Sequence, residues 1–77
     1  MTSVPSLSYR KIIRALQRDG WVVVRQKGSH VVMKKITDSE TIGCTVPLHD
    51  IVAVGTLAGL LKQAKVPNEE FIEALRN

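Results

Sequence analysis

The chain has 77 residues and a single cysteine, Cys44, so its length suits one domain and no internal disulfide can form. Residues 1–6 lack the basic start and apolar stretch of a signal peptide, and no apolar run approaches the roughly 20 residues of a membrane span. We therefore expect a soluble cytoplasmic protein with one domain over residues 1–77. Cys44 stands in an apolar, strand-like run, which predicts a buried thiol without a catalytic role.

The net charge of +4 is unevenly distributed. Residues 8–36 contain eight basic residues and one acidic residue, whereas residues 37–77 contain three basic and six acidic residues. Such asymmetry favours a polyanionic partner, above all a nucleic acid. Composition leaves the alternative open that these are ordinary basic residues on a solvated helix face.

The first predicted element is a helix over about residues 8–19, after a polar lead, residues 1–7, that we expect to fray. Ser6 or Ser8 is the candidate N-cap and Gly20 the stop signal. Apolar residues recur at helical spacing at Tyr9, Ile12, Ile13 and Leu16. Basic residues recur on the other side at Arg10, Lys11, Arg14 and Arg18. The helix therefore has an apolar face and a basic face.

Three strands are predicted next, over residues 21–24, 31–36 and 41–46, with a turn at Lys27-Gly28. Trp21 could stack on a base, but a tryptophan at the start of a strand is more often a core residue. Strict alternation separates the residues of the second strand into two sets. One face carries His30, Val32 and Lys34, and the other carries Ser29, Val31, Met33 and Lys35. The pattern does not say which face carries the chemistry.

Two further helices follow the strands. Thr56 is the expected N-cap of the first, in which Gly59 suggests close packing, and Asn68 is the expected cap of the second. The order of elements predicts an α+β fold, α-β-β-β-α with a short extra C-terminal helix, in which helices cover one face of a three-stranded antiparallel sheet.

The stretch most suited to chemistry is Arg25-Gln26-Lys27-Gly28-Ser29-His30. Glycine allows the positive φ that a tight turn needs, and histidine can take up or release a proton near neutral pH. His30 is therefore the candidate catalytic residue. His49 follows the third strand beside Asp50, in what we interpret as a solvated loop. Two histidines and one cysteine without a ligand cluster make a poor metal site, so we expect no metal and no cofactor.

The chain resembles the HicA toxin family in an ordered set of motifs across about residues 8–72. The motifs are Asp19-Gly20-Trp21, the hairpin stretch ending in Gly28-Ser29-His30, Val46-Pro47-Leu48-His49, Gly55-Thr56-Leu57 and Leu60-Leu61-Lys62-Gln63-Ala64. The resemblance implies a double-stranded-RNA-binding-like fold and an mRNA interferase of a toxin–antitoxin pair. It also implies that His30 is the catalytic residue and that the partner is a HicB-type antitoxin covering the active surface.

RNA supplies its own nucleophile, the 2′-hydroxyl, so a ribonuclease needs little beyond an acid–base group and positive charge near the phosphate. We expect His30 to act as general base or acid without a metal, and His49 is the candidate for a second proton-transfer group. The expected substrate-binding residues are Arg25, Lys27, Gly28, Ser29, Lys34 and His49, with further contacts from the basic face of the first helix. A non-catalytic RNA- or DNA-binding module is the alternative, and a protein-interaction domain is a third.

Overall fold

The structure, a computed structural model, describes residues 6–76; our expectations for residues 1–5 lie outside this range. Its elements, in chain order, are α1 (Tyr9–Arg18), β1 (Val22–Lys27), β2 (His30–Ile36), β3 (Thr41–Pro47), α2 (Val54–Ala64) and α3 (Asn68–Arg76). The strands form one antiparallel sheet in the order β1-β2-β3. The predicted α+β fold with a three-stranded sheet and a terminal helix is confirmed.

Helix α1 begins and ends where its sequence signals predict. Ser8 is the N-cap, and its side-chain oxygen accepts a hydrogen bond from the backbone N–H of Lys11 at 3.5 Å. Gly20 has a φ of +97°, a conformation that favours glycine, so the chain leaves the helix there. The side chains that α1 buries are Ile12, Ala15 and Leu16. The basic residues of α1 are thus left on its outer side.

Strands β1 and β2 form a hairpin with Gly28 and Ser29 at its tip. Lys27 pairs with His30 across the turn, and Gly28 has a φ of +59°. The register shifts between Val23 and Arg25, which marks a β-bulge in β1. The bulge keeps Arg25 in register with Val32 and Lys27 in register with His30.

The two faces of the sheet differ in burial. The inner face, which packs on the helices, contains the buried residues Val31, Met33, Cys44 and Val46. We call the opposite side the open face; it carries His30, Val32 and Lys34, because side chains alternate along β2. Strand β1 is exposed along its whole length, since the helices pack mainly against β3 and one another.

The core joins α1, the inner face and the last two helices. Its largest side chains are Trp21 and Phe71, each 1 % exposed. Trp21 is therefore a core residue and not a platform for stacking on a base. Within the described residues its indole Nε1 has no hydrogen-bond partner.

Helix α2 departs from two expectations. It begins at Val54 with Ala53 as N-cap, so the prediction that Thr56 is the cap was wrong. Val52 is buried and forms a backbone bridge with Leu7. The N–H of Leu57 donates to the carbonyl oxygen of Ala53 at 2.9 Å, so helical hydrogen bonding starts before Thr56. The prediction of close packing at Gly59 was also wrong, because a Cβ built there would meet nothing within 4 Å.

Candidate active site on the open face of the sheet

His30 is the first residue of β2 and lies between the two other strands. It pairs with Lys27 of β1 and with Pro47 of β3. The next residue, Val31, is buried on the inner face, so the side chain of His30 belongs to the open face, where it is exposed. The structure thus settles which face of β2 carries the candidate catalytic residue.

One depression lies on the open face around His30, with a volume of about 530 Å³. Its lining residues are Arg25, Lys27, His30, Val32 and Thr45. Register explains the grouping, because Val32 has Arg25 on one side and Thr45 on the other. We call this the open-face depression. It brings two of the predicted substrate-binding cations, Arg25 and Lys27, beside the histidine.

Within residues 6–76, no carboxylate forms an ion pair with these cations. Among the described residues the ion pairs join Lys35 to Asp19 at 3.4 Å and Lys65 to Glu40 at 3.0 Å. Arg25 and Lys27 take part in neither pair. Positive charge in the open-face depression therefore remains available for a phosphate.

A second depression, of about 440 Å³, lies between the edge of the sheet and α2. It is lined by His30, Thr45, Pro47, His49, Thr56, Gly59, Leu60 and Gln63. We call it the β3–α2 cleft. His30 and Thr45 line both depressions, so the two meet at the candidate catalytic residue. The cleft also brings together the two histidines of the sequence.

The backbone around His49 is held by three hydrogen bonds. The N–H of His49 donates to the carbonyl oxygen of Pro47 at 2.9 Å, and its own carbonyl oxygen accepts from the N–H of Tyr9 at 3.1 Å. The N–H of Leu48 donates to the carbonyl oxygen of Ser29 at 2.8 Å. The last bond ties the hairpin tip to the segment that carries His49. The exposed His49 side chain therefore extends from a hydrogen-bonded backbone and lines the same cleft as His30.

The hairpin tip itself is open. Gly28 and Ser29 are exposed, and the Gln26 amide donates to the carbonyl oxygen of Gly28 at 3.3 Å. Nothing lies within 4 Å of a Cβ built on Gly28. A phosphate could therefore approach the backbone of the turn without displacing a side chain.

Lys34 lies on the same face as His30 but at a distance. It pairs with Val22 and Gly43 and lies four residues from His30 in β2, or about 13 Å along the strand. It lines neither depression. Lys34 therefore shares a face with His30 but lies apart from the residues that surround it.

A comparison with protein-family models matches residues 9–66 to the HicA toxin of bacterial toxin–antitoxin systems. The chain belongs to the HicA toxin family. The match includes His30, His49 and every residue that lines the two depressions. Membership implies a toxin with an antitoxin partner in general. Comparisons with curated proteins and with solved structures gave no significant match.

The fold of this HicA-family chain adds candidate site residues that the sequence did not predict: Thr45, Thr56, Gly59, Leu60 and Gln63, which line the β3–α2 cleft. Positions 56, 59, 60 and 63 have the spacing of one helix face, so the sequence alone could have indicated that they share a surface. The sequence pattern at Thr56 instead predicts a cap. Thr45 could be found only from the register between β2 and β3.

Two further observations bear on expectations for this HicA-family chain. Cys44 is buried, as predicted, and burial raises the pKa of its thiol to about 11. It lines neither depression.

Among the described residues, no helix combines the length and apolar character needed to cross a membrane.

Proposed function

We propose that this chain is the toxin of a HicA/HicB-type toxin–antitoxin system and acts as an endoribonuclease on mRNA, with His30 as its catalytic residue. One observation carries the proposal. His30 lines both the open-face depression and the β3–α2 cleft, which contains His49. The open-face depression contains two cations that pair with no carboxylate in the described part of the chain. Cations next to a pair of proton-transfer groups are what phosphodiester transesterification requires.

RNA would bind along the open face. Lys27, Ser29 and the backbone N–H groups of the Gly28 turn would hold the scissile phosphate beside His30. Arg25 and Lys34 would contact phosphates of the flanking backbone, which suits their positions along the open face.

The reaction needs two proton transfers at the scissile phosphate. One histidine of the His30–His49 pair takes the proton from the ribose 2′-hydroxyl as its oxygen attacks phosphorus. The bond from phosphorus to the 5′-oxygen breaks, and the other histidine donates a proton to that leaving oxygen. The products are a 2′,3′-cyclic phosphate and a 5′-hydroxyl. This chemistry uses no metal, so activity should persist in EDTA.

The partner would be a HicB-type antitoxin that covers the open face. Because His30, Arg25 and Lys27 are all exposed there, a protein bound to that face would exclude RNA from the candidate active site. The substrate, mRNA, places the activity in the cytoplasm.

The test compares an RNA oligonucleotide with an all-2′-deoxy oligonucleotide of the same sequence, both incubated with the parent chain in EDTA. The proposal predicts cleavage of the RNA only, with fragments ending in a cyclic phosphate. Cleavage of the deoxy strand at the same rate would overturn the mechanism. Binding of RNA without cleavage would instead assign the chain as an RNA-binding module with the same basic surface.

A further inference from the structure

The described residues contain a second concentration of positive charge, on the helical side of the molecule. A groove of about 400 Å³ lies between α1 and α3. Its lining residues are Leu7, Lys11, Arg14, Arg18 and Leu75. Three of the five are cations and none is acidic. We call this the α1–α3 groove.

The groove is separated from His30 by the body of the protein. Helix α1 buries Ile12, Ala15 and Leu16 in the core, and its cations lie on the outer side. The core and the sheet stand between this side and the open face. The groove and His30 therefore lie on opposite sides of the core.

The cations form a line and not a single cluster. Lys11, Arg14 and Arg18 span about 10 Å along the axis of α1, given a rise of about 1.5 Å per residue. The guanidinium of Arg18 donates to the carbonyl oxygen of Ala74 at 3.3 Å, which fixes one end of the line. Arginine has five N–H donors, so this bond leaves others for a ligand. A row of charges suits the regularly charged backbone of a nucleic acid.

The groove cations do not include Arg10, the remaining basic residue of α1, and the acid next to Arg18 has another partner. The Arg10 guanidinium donates to the Tyr9 hydroxyl at 3.0 Å and lies over the ring of Tyr9, away from the groove. Asp19, the acid next to Arg18 in sequence, pairs with Lys35. Lys11 and Arg14 take part in neither ion pair of the described residues.

We propose that the α1–α3 groove is a second RNA-binding site, which holds the phosphate backbone of a long RNA on the side of the molecule opposite His30. The proposal rests on the proposed function in taking RNA as the polyanion. Two separate sites predict that the effect of the groove depends on the length of the RNA, which one continuous surface would not predict. The groove should contribute to the affinity for an RNA long enough to pass around the molecule and should not affect a trinucleotide bound at His30.

The experiment measures binding and not cleavage, so that its failure is distinct from failure of the nuclease proposal. In a His30→Ala background, Lys11→Gln and Arg14→Gln are combined, and Arg18 is left in place because it contacts α3. Fluorescence anisotropy at several salt concentrations is recorded with a labelled single-stranded RNA of about 20 nucleotides and with a labelled trinucleotide. The matched control combines Lys62→Gln in α2 with Lys65→Gln at the C-cap of α2, which makes the same change in net charge.

The groove variant should bind the long RNA at least about tenfold more weakly than the control does, with a slope of log affinity against log salt lower by about 1.4. Its affinity for the trinucleotide should equal that of the control. Equal binding of the long RNA by the groove variant and the control would overturn the proposal. An equal loss for both RNA lengths would also overturn it, because the groove would then belong to the His30 surface.

Discussion

His30 and His49 line the same cleft, although one residue begins β2 and the other follows β3. Their proximity follows from the register, because His30 pairs with Pro47, and from the bond between Leu48 and Ser29 that ties the two segments together. In the proposed mechanism this arrangement would supply a general base and a general acid to one phosphate.

Replacing His49 should impair catalysis without preventing RNA binding. His49→Ala removes one proton-transfer group and leaves the backbone bonds of the loop unchanged, so cleavage should slow by about 10²-fold or more. The measurement is single-turnover cleavage of a labelled RNA, with binding measured in parallel. Cleavage by His49→Ala at the parent rate would remove His49 from the mechanism.

A substrate with a 4-nitrophenolate leaving group tells which histidine donates the proton. This leaving group departs without protonation, so replacing the proton donor should have little effect on its release. We expect one of the two variants, His30→Ala or His49→Ala, to recover activity on a uridine 3′-(4-nitrophenyl phosphate) and the other to stay impaired. If both stay equally impaired, the two residues do not divide the base and acid roles.

Gly28 and Gly59 should respond in opposite ways to alanine. Gly28 has a φ of +59°, so Gly28→Ala should lower the free energy of unfolding by about 1 kcal/mol, and Gly28→Asn should cost less. Gly59 lies within α2 with nothing near its Cβ position, so Gly59→Ala should raise the free energy of unfolding by up to about 1 kcal/mol. Urea unfolding measures both changes. Stabilisation by Gly28→Ala would contradict the hairpin geometry.

Stability should depend on pH through Glu70. A hydrogen bond with the Asp19 carboxyl, together with burial and the charge of Asp19, raises the pKa of Glu70. The folded chain therefore holds this proton more tightly than the unfolded chain does. The resulting stabilisation is complete in acid and is lost as the pH rises through the raised pKa.

Glu70→Gln removes the carboxylate whose ionisation lowers the stability, so it should raise the Tm near neutral pH and change it little at about pH 4. Because Glu70 is exposed and solvent screens its charge, we expect only about 0.3 kcal/mol, or about 2 °C in Tm. Glu69→Gln, in the same helical turn, is the matched control. A Tm at neutral pH no higher than that of the control would disagree with this assignment.

The Cys44 thiol should be unreactive in the folded protein. Burial raises its pKa to about 11, so about one molecule in a thousand carries the thiolate at about pH 8. Reaction with Ellman's reagent should be at least about 10²-fold slower in the native protein than in urea. Equal rates in both conditions would show that Cys44 is accessible.

Periodicity in the sequence predicted the elements and much of the burial. The alternation along β2 correctly separated Val31 and Met33 from His30 and Val32, because side chains on neighbouring positions of a strand point to opposite faces. Ser8 and Gly20 marked the ends of α1 because both signals act through local backbone geometry. Local patterns of this kind need no knowledge of tertiary packing.

The composition of the site could not be predicted in the same way. Val22, Val23 and Val24 form an apolar run that is typical of a buried strand, yet each remains 45–52 % exposed because the helices leave β1 uncovered. The β3–α2 cleft depends on where α2 packs against the edge of the sheet, which brings Gln63 to the same cavity as His30. Packing between distant segments decides both outcomes, and no short stretch of sequence encodes it.

The most direct test of the account is cleavage of a single-stranded RNA in EDTA by three proteins: the parent chain, His30→Ala and Thr41→Ala. Thr41 is a matched control, because it is exposed on the open face at the opposite end of the sheet from His30. We predict fragments with the parent and with Thr41→Ala, and cleavage slower by about 10²–10⁴-fold with His30→Ala. Equal cleavage by His30→Ala, or RNA binding by the parent without any cleavage, would contradict a ribonuclease centred on His30.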